Sequence, residues 1–167
     1  MAVKDKVFKG KIKQSANFDF RGIYEFIYDH LSEERWNLHE SLYREKSQAE
    51  SKELTIIWKG TKDVSDYFRF EIGVTFLITG MKDVKVNIEG NEVKMQNGSI
   101  EIVFDATLIK DYKNKWDNGF MKVLRGIYDD YIIRNRIEDY EVKLYEEINE
   151  IIATIKSYLA IEGQHLY

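Results

Sequence analysis

The chain has 167 residues, of which 44% are hydrophobic and 32% are charged, and its formal net charge is −4. This length suits one domain that buries roughly two-thirds of the surface of its unfolded chain. It contains no cysteine and no proline, which excludes disulfides, thiol nucleophiles and thiolate metal sites. The negative balance argues against a nucleic-acid partner. Because no apolar run approaches a membrane span and the N-terminus lacks a signal-peptide core, we expect a cytoplasmic protein.

The first third of the chain predicts an edge strand followed by a pair of helices. Lysines alternate loosely with apolar residues in segment 7–13, a pattern that discourages pairing along the open edge of a sheet. Ile23, Ile27 and Leu31 then follow helical spacing, and segment 32–36 predicts a short second helix. From Leu42 the period changes to two, which indicates β-structure.

The middle of the chain predicts an antiparallel meander. The longest run alternates from Phe68 to Ile78, with one apolar side and one side that can face water. Gly90-Asn91 and Asn97-Gly98 are typical of two-residue hairpin turns. We therefore predict an α+β fold with a curved antiparallel sheet of about six strands. Alternation of this kind occupies segments 54–60, 67–79, 84–89 and 100–108.

A long amphipathic tail from about Asn114 to Ile161 returns to helical periodicity. As a single helix it would measure about 70 Å at 1.5 Å per residue, which is longer than the domain is wide. We therefore place a break near residues 134–138. The first helix is predicted to pack on the sheet, and 137–162 is predicted as an added C-terminal helix of one domain, 1–167.

This order of elements resembles the START-like superfamily, also called SRPBCC or helix-grip proteins. A strand, a helix pair, an antiparallel meander and a long helix carry the resemblance over residues about 7–134. The resemblance implies a curved sheet that wraps the last helix, often around an apolar cavity, and binding of lipids, sterols, polyketides or protein clients. The segment 137–161 departs from the pattern, which usually ends with one terminal helix, and it suggests an added interaction surface.

Aromatic residues make up 14% of the chain and concentrate on the apolar side of the predicted sheet. They either line a ligand cavity of the kind that binding sites use or fill an ordinary core, and the core interpretation is favoured. If a cavity exists, the sheet and the first tail helix line it with Trp58, Phe70, Val74, Phe76, Phe104, Phe120, Leu124 and Ile127.

Three functions remain open at this point. The first is a non-enzymatic domain that binds an apolar, lipid-like small molecule or a protein client between sheet and helix. The second is an assembly protein that uses the helix 137–161 to bind a second copy or another protein. The third is a START-like cyclase or hydrolase. The partner-binding stripe of the second hypothesis comprises Leu144, Ile148, Ile151, Ile155 and Leu159.

The sequence predicts no catalytic residue, metal site or cofactor, and it favours a non-enzymatic role. His30, His39 and His165 lack the spacing of metal ligands. His39 and Glu40 are sequence neighbours, which do not face each other on a helix. The glycines form no phosphate-binding loop, and no membrane span is predicted.

Overall fold

The computed structural model describes residues 2–164, with side chains as far as Glu162. This part of the chain forms five strands in one antiparallel sheet, three α-helices and a π-helical turn. His165 lies outside the described residues. The strands are β1 (Val3–Phe18), β2 (Asn37–Ser47), β3 (Lys52–Asp63), β4 (Phe68–Ile88) and β5 (Asn91–Lys110). The helices are α1 (Phe20–Glu33), α2 (Gly119–Ile127) and α3 (Arg134–Gln164), and the π turn (Tyr128–Ile132) joins the last two.

The strands lie in the order β1-β5-β4-β3-β2, so the first strand pairs with the last and the meander runs back to β2. The predicted edge position of β1 is confirmed. β4 and β5 have 21 and 20 residues and pair along most of their lengths. Each strand pair contains a register shift, and bulges of this kind bend and twist a sheet.

The sheet has five strands rather than about six, because segments 67–79 and 84–89 form one strand, β4. Asn97-Gly98, in addition, is not a turn. Both residues lie inside β5, where Gly98 pairs with Ala16 of β1. A Cβ on Gly98 would come within 2.9 Å of the carbonyl oxygen of Thr79, so this glycine permits close approach of two strands. The hairpin turn is formed by Glu89 and Gly90, whose positive φ angles of 50° and 86° suit a two-residue loop.

One face of the sheet is buried and the other faces water. In β4 the residues at even positions from Phe68 to Ile78 are buried, and their neighbours from Arg69 to Thr79 are partly or fully exposed. The alternation predicted for this strand is therefore confirmed. α1 and α3 cover the buried face, and α1 contributes Ile23, Ile27 and Leu31 to the same core.

The helix that packs on the sheet is α3, which corrects the prediction that segment 114–131 would do so. The apolar stripe of α3 spans about 22 Å at 1.5 Å per residue, and an uninterrupted aliphatic stripe of this length matches the long strands beneath it. The helix predicted as an addition is therefore the central helix of the fold. Its stripe residues are at most 3% exposed and belong to the core cluster: Leu144, Ile148, Ile151, Ile155 and Leu159.

A shielded polar contact fixes α3 against the β2–β3 end of the sheet. Glu147 Oε1 accepts a hydrogen bond from the Trp36 indole N–H at 3.0 Å and another from Lys62 Nζ at 2.7 Å. Lys62 belongs to β3, and Trp36 immediately precedes β2. Because hydrogen bonds to charged groups are the stronger ones, this contact sets the rotation of α3 about its axis.

We predict that an isoleucine-to-alanine substitution lowers stability more in α3 than in α2. Ile148→Ala removes a buried side chain and should lower the free energy of unfolding by about 2–5 kcal/mol. Ile127 is half exposed, so Ile127→Ala should change that free energy by less than about 1 kcal/mol. Urea denaturation followed by tryptophan fluorescence measures both values. Similar losses in the two variants would contradict the packing of α3, rather than α2, on the sheet.

Candidate interaction surface

The segment between β5 and α3 carries an apolar surface that faces solvent. α2 and the π turn expose six large apolar side chains, each between 36% and 83% exposed. The first four follow the spacing of one helical face, at positions i, i+3, i+4 and i+7, and the last two belong to the π turn. We call this set the exposed stripe: Phe120, Val123, Leu124, Ile127, Tyr131 and Ile132.

The eight residues predicted to line one space between sheet and helix fall into two groups. Phe120, Leu124 and Ile127 lie on the exposed stripe of α2, away from the sheet. The reason is that α3 occupies the position predicted for them. The other five are at most 1% exposed and belong to the core: Trp58, Phe70, Val74, Phe76 and Phe104.

Asp111 fixes the loop that leads into α2 and holds the Arg125 side of that helix inward. Its side chain is 1% exposed. The carboxylate accepts the backbone N–H of Lys115 at 2.8 Å and of Trp116 at 3.2 Å, and it lies 3.5 Å from the guanidinium of Arg125. Because a buried carboxylate needs partners of this kind, Asp111 holds Arg125 toward the body of the domain.

A second anchor holds the π turn. The ring of Tyr128 stacks on Trp116 with centroids 5.2 Å apart and meets the ring of Tyr67 at 6.0 Å. The Tyr67 hydroxyl donates a hydrogen bond to Asp129 at 2.6 Å, and Lys110 Nζ lies 3.9 Å from the same carboxylate. Burial, together with Asp129, raises the pKa of Tyr67, so its hydroxyl remains a donor at neutral pH.

The ends of the segment are also fixed. The Asn118 side chain accepts the N–H of Met121 at 2.8 Å and caps α2. After the π turn, the N–H of Ile133 bonds to the carbonyl of Tyr128, and the Ile133 side chain is buried. The segment is thus held at both ends and along its polar side, and its apolar side is left to solvent.

Two surface clefts of opposite charge lie near the ends of α3. A cleft of about 520 Å³ between β1 and the end of α3 includes Lys11, Lys13 and Lys156. A cleft of about 650 Å³ lies where the π turn meets the start of α3, and it includes Lys110 and Arg134. Carboxylates outnumber these cations in the second cleft, which we call the acidic cleft: Asp5, Asp129, Asp130, Glu138 and Glu141.

The histidines and glutamates singled out from the sequence do not come together as a catalytic pair. His39 and Glu40 are adjacent in β2, so their side chains point to opposite faces of the strand. Glu40 instead accepts a hydrogen bond from the Tyr24 hydroxyl at 2.8 Å. Across the described residues, no group of three or more His, Asp and Glu side chains is arranged to hold a metal ion.

Comparisons with protein-family models, with curated proteins and with solved structures find no match for this chain. Within residues 2–164, no helix combines the length and the apolar character needed to cross a bilayer. The surface is therefore interpreted from its own chemistry. Sequence periodicity alone does not reveal that this stripe is exposed, because the stripe of α2 has the same pattern as that of a core-facing helix.

We predict that Tyr67→Phe loosens the π turn without unfolding the domain. The substitution removes a hydrogen bond to a charged acceptor, an interaction worth about 1.5–3 kcal/mol. Hydrogen exchange measured by mass spectrometry should therefore accelerate in segment 128–133 and remain unchanged in β4. Tyr131→Phe is the matched control, since Tyr131 lies on the same turn with its side chain exposed. Equal acceleration in both variants would contradict the anchoring role of Tyr67.

The acidic cleft should give the stability a measurable pH dependence. Burial, followed by the nearby carboxylate of Asp5, raises the pKa of Glu141 from its usual value of 4.5. The folded state then holds this proton to a higher pH than the unfolded state does, so stability falls as pH rises from about 4.5 through the folded pKa.

Glu141→Gln should remove the loss of stability that the Glu141 carboxyl causes as pH rises. The variant should be more stable than the parent chain at about pH 7, and the difference should disappear at about pH 3, where both states of the parent are protonated. Denaturation midpoints in urea at the two pH values measure the effect. Glu146→Gln, at an exposed position of α3, is the control. A Glu141→Gln variant that is less stable at neutral pH would contradict the argument.

Proposed function

We propose that this chain is a non-enzymatic interaction domain that binds a protein partner through the exposed stripe. The observation that carries the proposal is the inverted orientation of α2. Its inward side places Arg125 against the buried carboxylate of Asp111, whereas its stripe of large apolar residues faces water. A surface helix of a globular protein ordinarily has the opposite orientation.

The size of the stripe supports this function. Its six residues are between 36% and 83% exposed and together present on the order of 700 Å² of accessible surface, backbone and hydroxyl included. This is comparable with the largest apolar patch on a typical monomer, roughly 300–600 Å², which is often functional. Large exposed apolar patches mark sites of association. The aromatic rings of Phe120 and Tyr131 are the most exposed members, at 75% and 83%, and aromatic residues are enriched at protein interfaces.

The hypothesis of assembly through a helix is retained in this proposal, but its surface is different. The residues first assigned to partner binding, such as Ile148 and Ile155, are buried within the chain itself. Binding through them would require α3 to leave the sheet. The exposed stripe on α2 requires no such rearrangement.

Carriage of an apolar ligand between sheet and helix has less support. A side chain with no accessible surface borders no space that could hold even a water molecule. Phe70, Val74, Phe76 and Phe104 have 0% exposure, and Trp58 has 1%. A lipid-like ligand at these residues would have to displace α3, which would expose a stripe of five aliphatic residues to water. A START-like cyclase or hydrolase would likewise need a polar group among these inner positions.

A START-like classification remains part of the proposal. The sheet order, in which the first and last strands are neighbours, and the long final helix on the inner face support a helix-grip arrangement. In that interpretation α3 is the gripped helix, and segment 111–133 is the added element that carries the function.

We predict that polar substitutions in the exposed stripe abolish binding without loss of stability. Val123→Gln/Ile127→Gln should leave the thermal midpoint within about 2 °C of the parent, because both side chains are exposed. A protein recovered with the parent chain from its source cells should be lost with this double variant. Co-purification with quantitative mass spectrometry measures the recovery.

Val142→Gln/Tyr145→Gln is the matched control for this experiment. Both residues are exposed and apolar, and they lie on α3 rather than on the stripe. The control should recover the same protein as the parent. If the stripe variant recovers it equally well, the proposed function is wrong, and if that variant unfolds, the stripe is part of the core.

A further inference from the structure

The geometry and charge of α2 and the π turn point to a particular partner. We infer that the partner is a second copy of this chain, bound by antiparallel, two-fold symmetric pairing of the segments Gly119–Ile132. This inference rests on the proposed interaction function and specifies the occupant of the same surface.

The area available fits a pair of copies. An interface with two-fold symmetry uses the same patch on both subunits. Two exposed stripes together could bury at most roughly 1,400 Å², which reaches the lower part of the range of about 1,600 ± 400 Å² for stable complexes. The stripe contains no charged residue, so a copy can cover it without burying an unpaired charge.

The order of charges in the segment favours an antiparallel arrangement. The cations Lys122 and Arg125 come first and the carboxylates Asp129 and Asp130 come last, so the segment is neutral in sum. Arg125 and Asp129 are turned inward and bound within the chain, so Lys122 and Asp130 are the charges that this segment exposes to a partner. This order opposes the helix dipole, which favours acidic residues at the start of a helix and cations at its end. An antiparallel copy centred midway along the segment places its Lys122 beside Asp130 of the first, whereas a parallel copy would place like charges together.

Two glycines in the segment leave space in which another helix could approach closely. Gly119 and Gly126 are seven residues apart, and a Cβ on either would meet no atom within 4 Å. Glycine in the interior of a helix costs about 1 kcal/mol relative to alanine, and the described structure offers no packing reason for it at Gly126. Gly119 is the first residue of α2, where this cost does not apply. Gly126 lies at the middle of the span from Phe120 to Ile132, where two antiparallel copies would cross.

A membrane surface fits the segment less well than a second copy does. Helices that lie on membranes carry an excess of lysine and arginine on the polar face. This segment is neutral and the chain has a net charge of −4. The Arg125 side chain is also directed toward Asp111 and not toward a lipid headgroup.

Light scattering on the full chain tests the stoichiometry. The parent should show twice the single-chain mass of 19.8 kDa at high micromolar concentration, and Val123→Gln/Ile127→Gln should show the single mass. The control Val142→Gln/Tyr145→Gln should keep the doubled mass. A monomeric parent, or a dimer that survives the stripe variant, would overturn the inference.

Crosslinking tests the antiparallel alignment, and the absence of native cysteine makes single cysteines unambiguous. In the antiparallel pair, residues 120 of the two copies lie about 18 Å apart along the axis, from twelve residues at 1.5 Å each. A short bismaleimide should therefore fail to join Phe120→Cys to itself or Ile132→Cys to itself. It should join the two variants when they are mixed, and it should join Ile127→Cys to itself.

The outcomes separate this inference from the proposed function. Self-crosslinking of both Phe120→Cys and Ile132→Cys would show a parallel pair and overturn the alignment. A monomeric parent that captures a different protein, lost in the stripe variant, would overturn the second copy as partner and leave the interaction function intact. A monomeric parent that sediments with anionic vesicles through the stripe would assign it to membranes and overturn both.

Discussion

Five aliphatic side chains of α3 fill the inner face of the sheet, and the remaining elements are arranged around that contact. Leu144 and Leu159 mark the ends of this stripe, and everything between them that faces inward is buried. Each square ångström of apolar surface removed from water contributes roughly 25 cal/mol to stability, so loss of this contact would destabilise the fold. The Glu147 contact with Trp36 and Lys62 then fixes the rotation of the helix. Once α3 occupies this place, α2 has no inner surface left to cover.

α2 is exposed because α3 occupies the inner face of the sheet. This does not explain why the apolar side of α2 faces water. A helix excluded from the core could still turn its apolar side toward the outer surface of the domain. Asp111 prevents this, since its buried carboxylate needs the backbone of the following loop and the guanidinium of Arg125. Tyr67 and Asp129 hold the π turn in the same orientation. Two polar anchors therefore keep an apolar surface in water, an arrangement with an energetic cost that the fold itself does not require.

Much of the fold follows from local sequence pattern, and the errors have physical causes. The alternation in β4, the edge position of β1 and the break before α3 were all predictable, because each depends on residues close in sequence. The strand count was wrong because segments 67–79 and 84–89 form one strand, β4, that continues across Gly80. Asn97-Gly98 has the composition of a turn, but it lies inside β5, where Gly98 permits the close approach of Thr79. The choice of the helix that packs on the sheet was also wrong. Both tail helices have an amphipathic stripe, and periodicity does not reveal which stripe the sheet will bury.

The edges of the sheet strengthen the case that association occurs through the helix. The two edge strands are β1 and β2, and exposed edges are the usual places for chains to pair. β1 carries exposed lysines from Lys4 to Lys13, and β2 exposes Arg44, Glu45 and Lys46. Charged side chains of this kind oppose pairing between strands. The chain thus protects its open strands against association while it holds Phe120 and Tyr131 in solvent. Such selective protection is expected of a surface whose exposed apolar residues have a partner to bind.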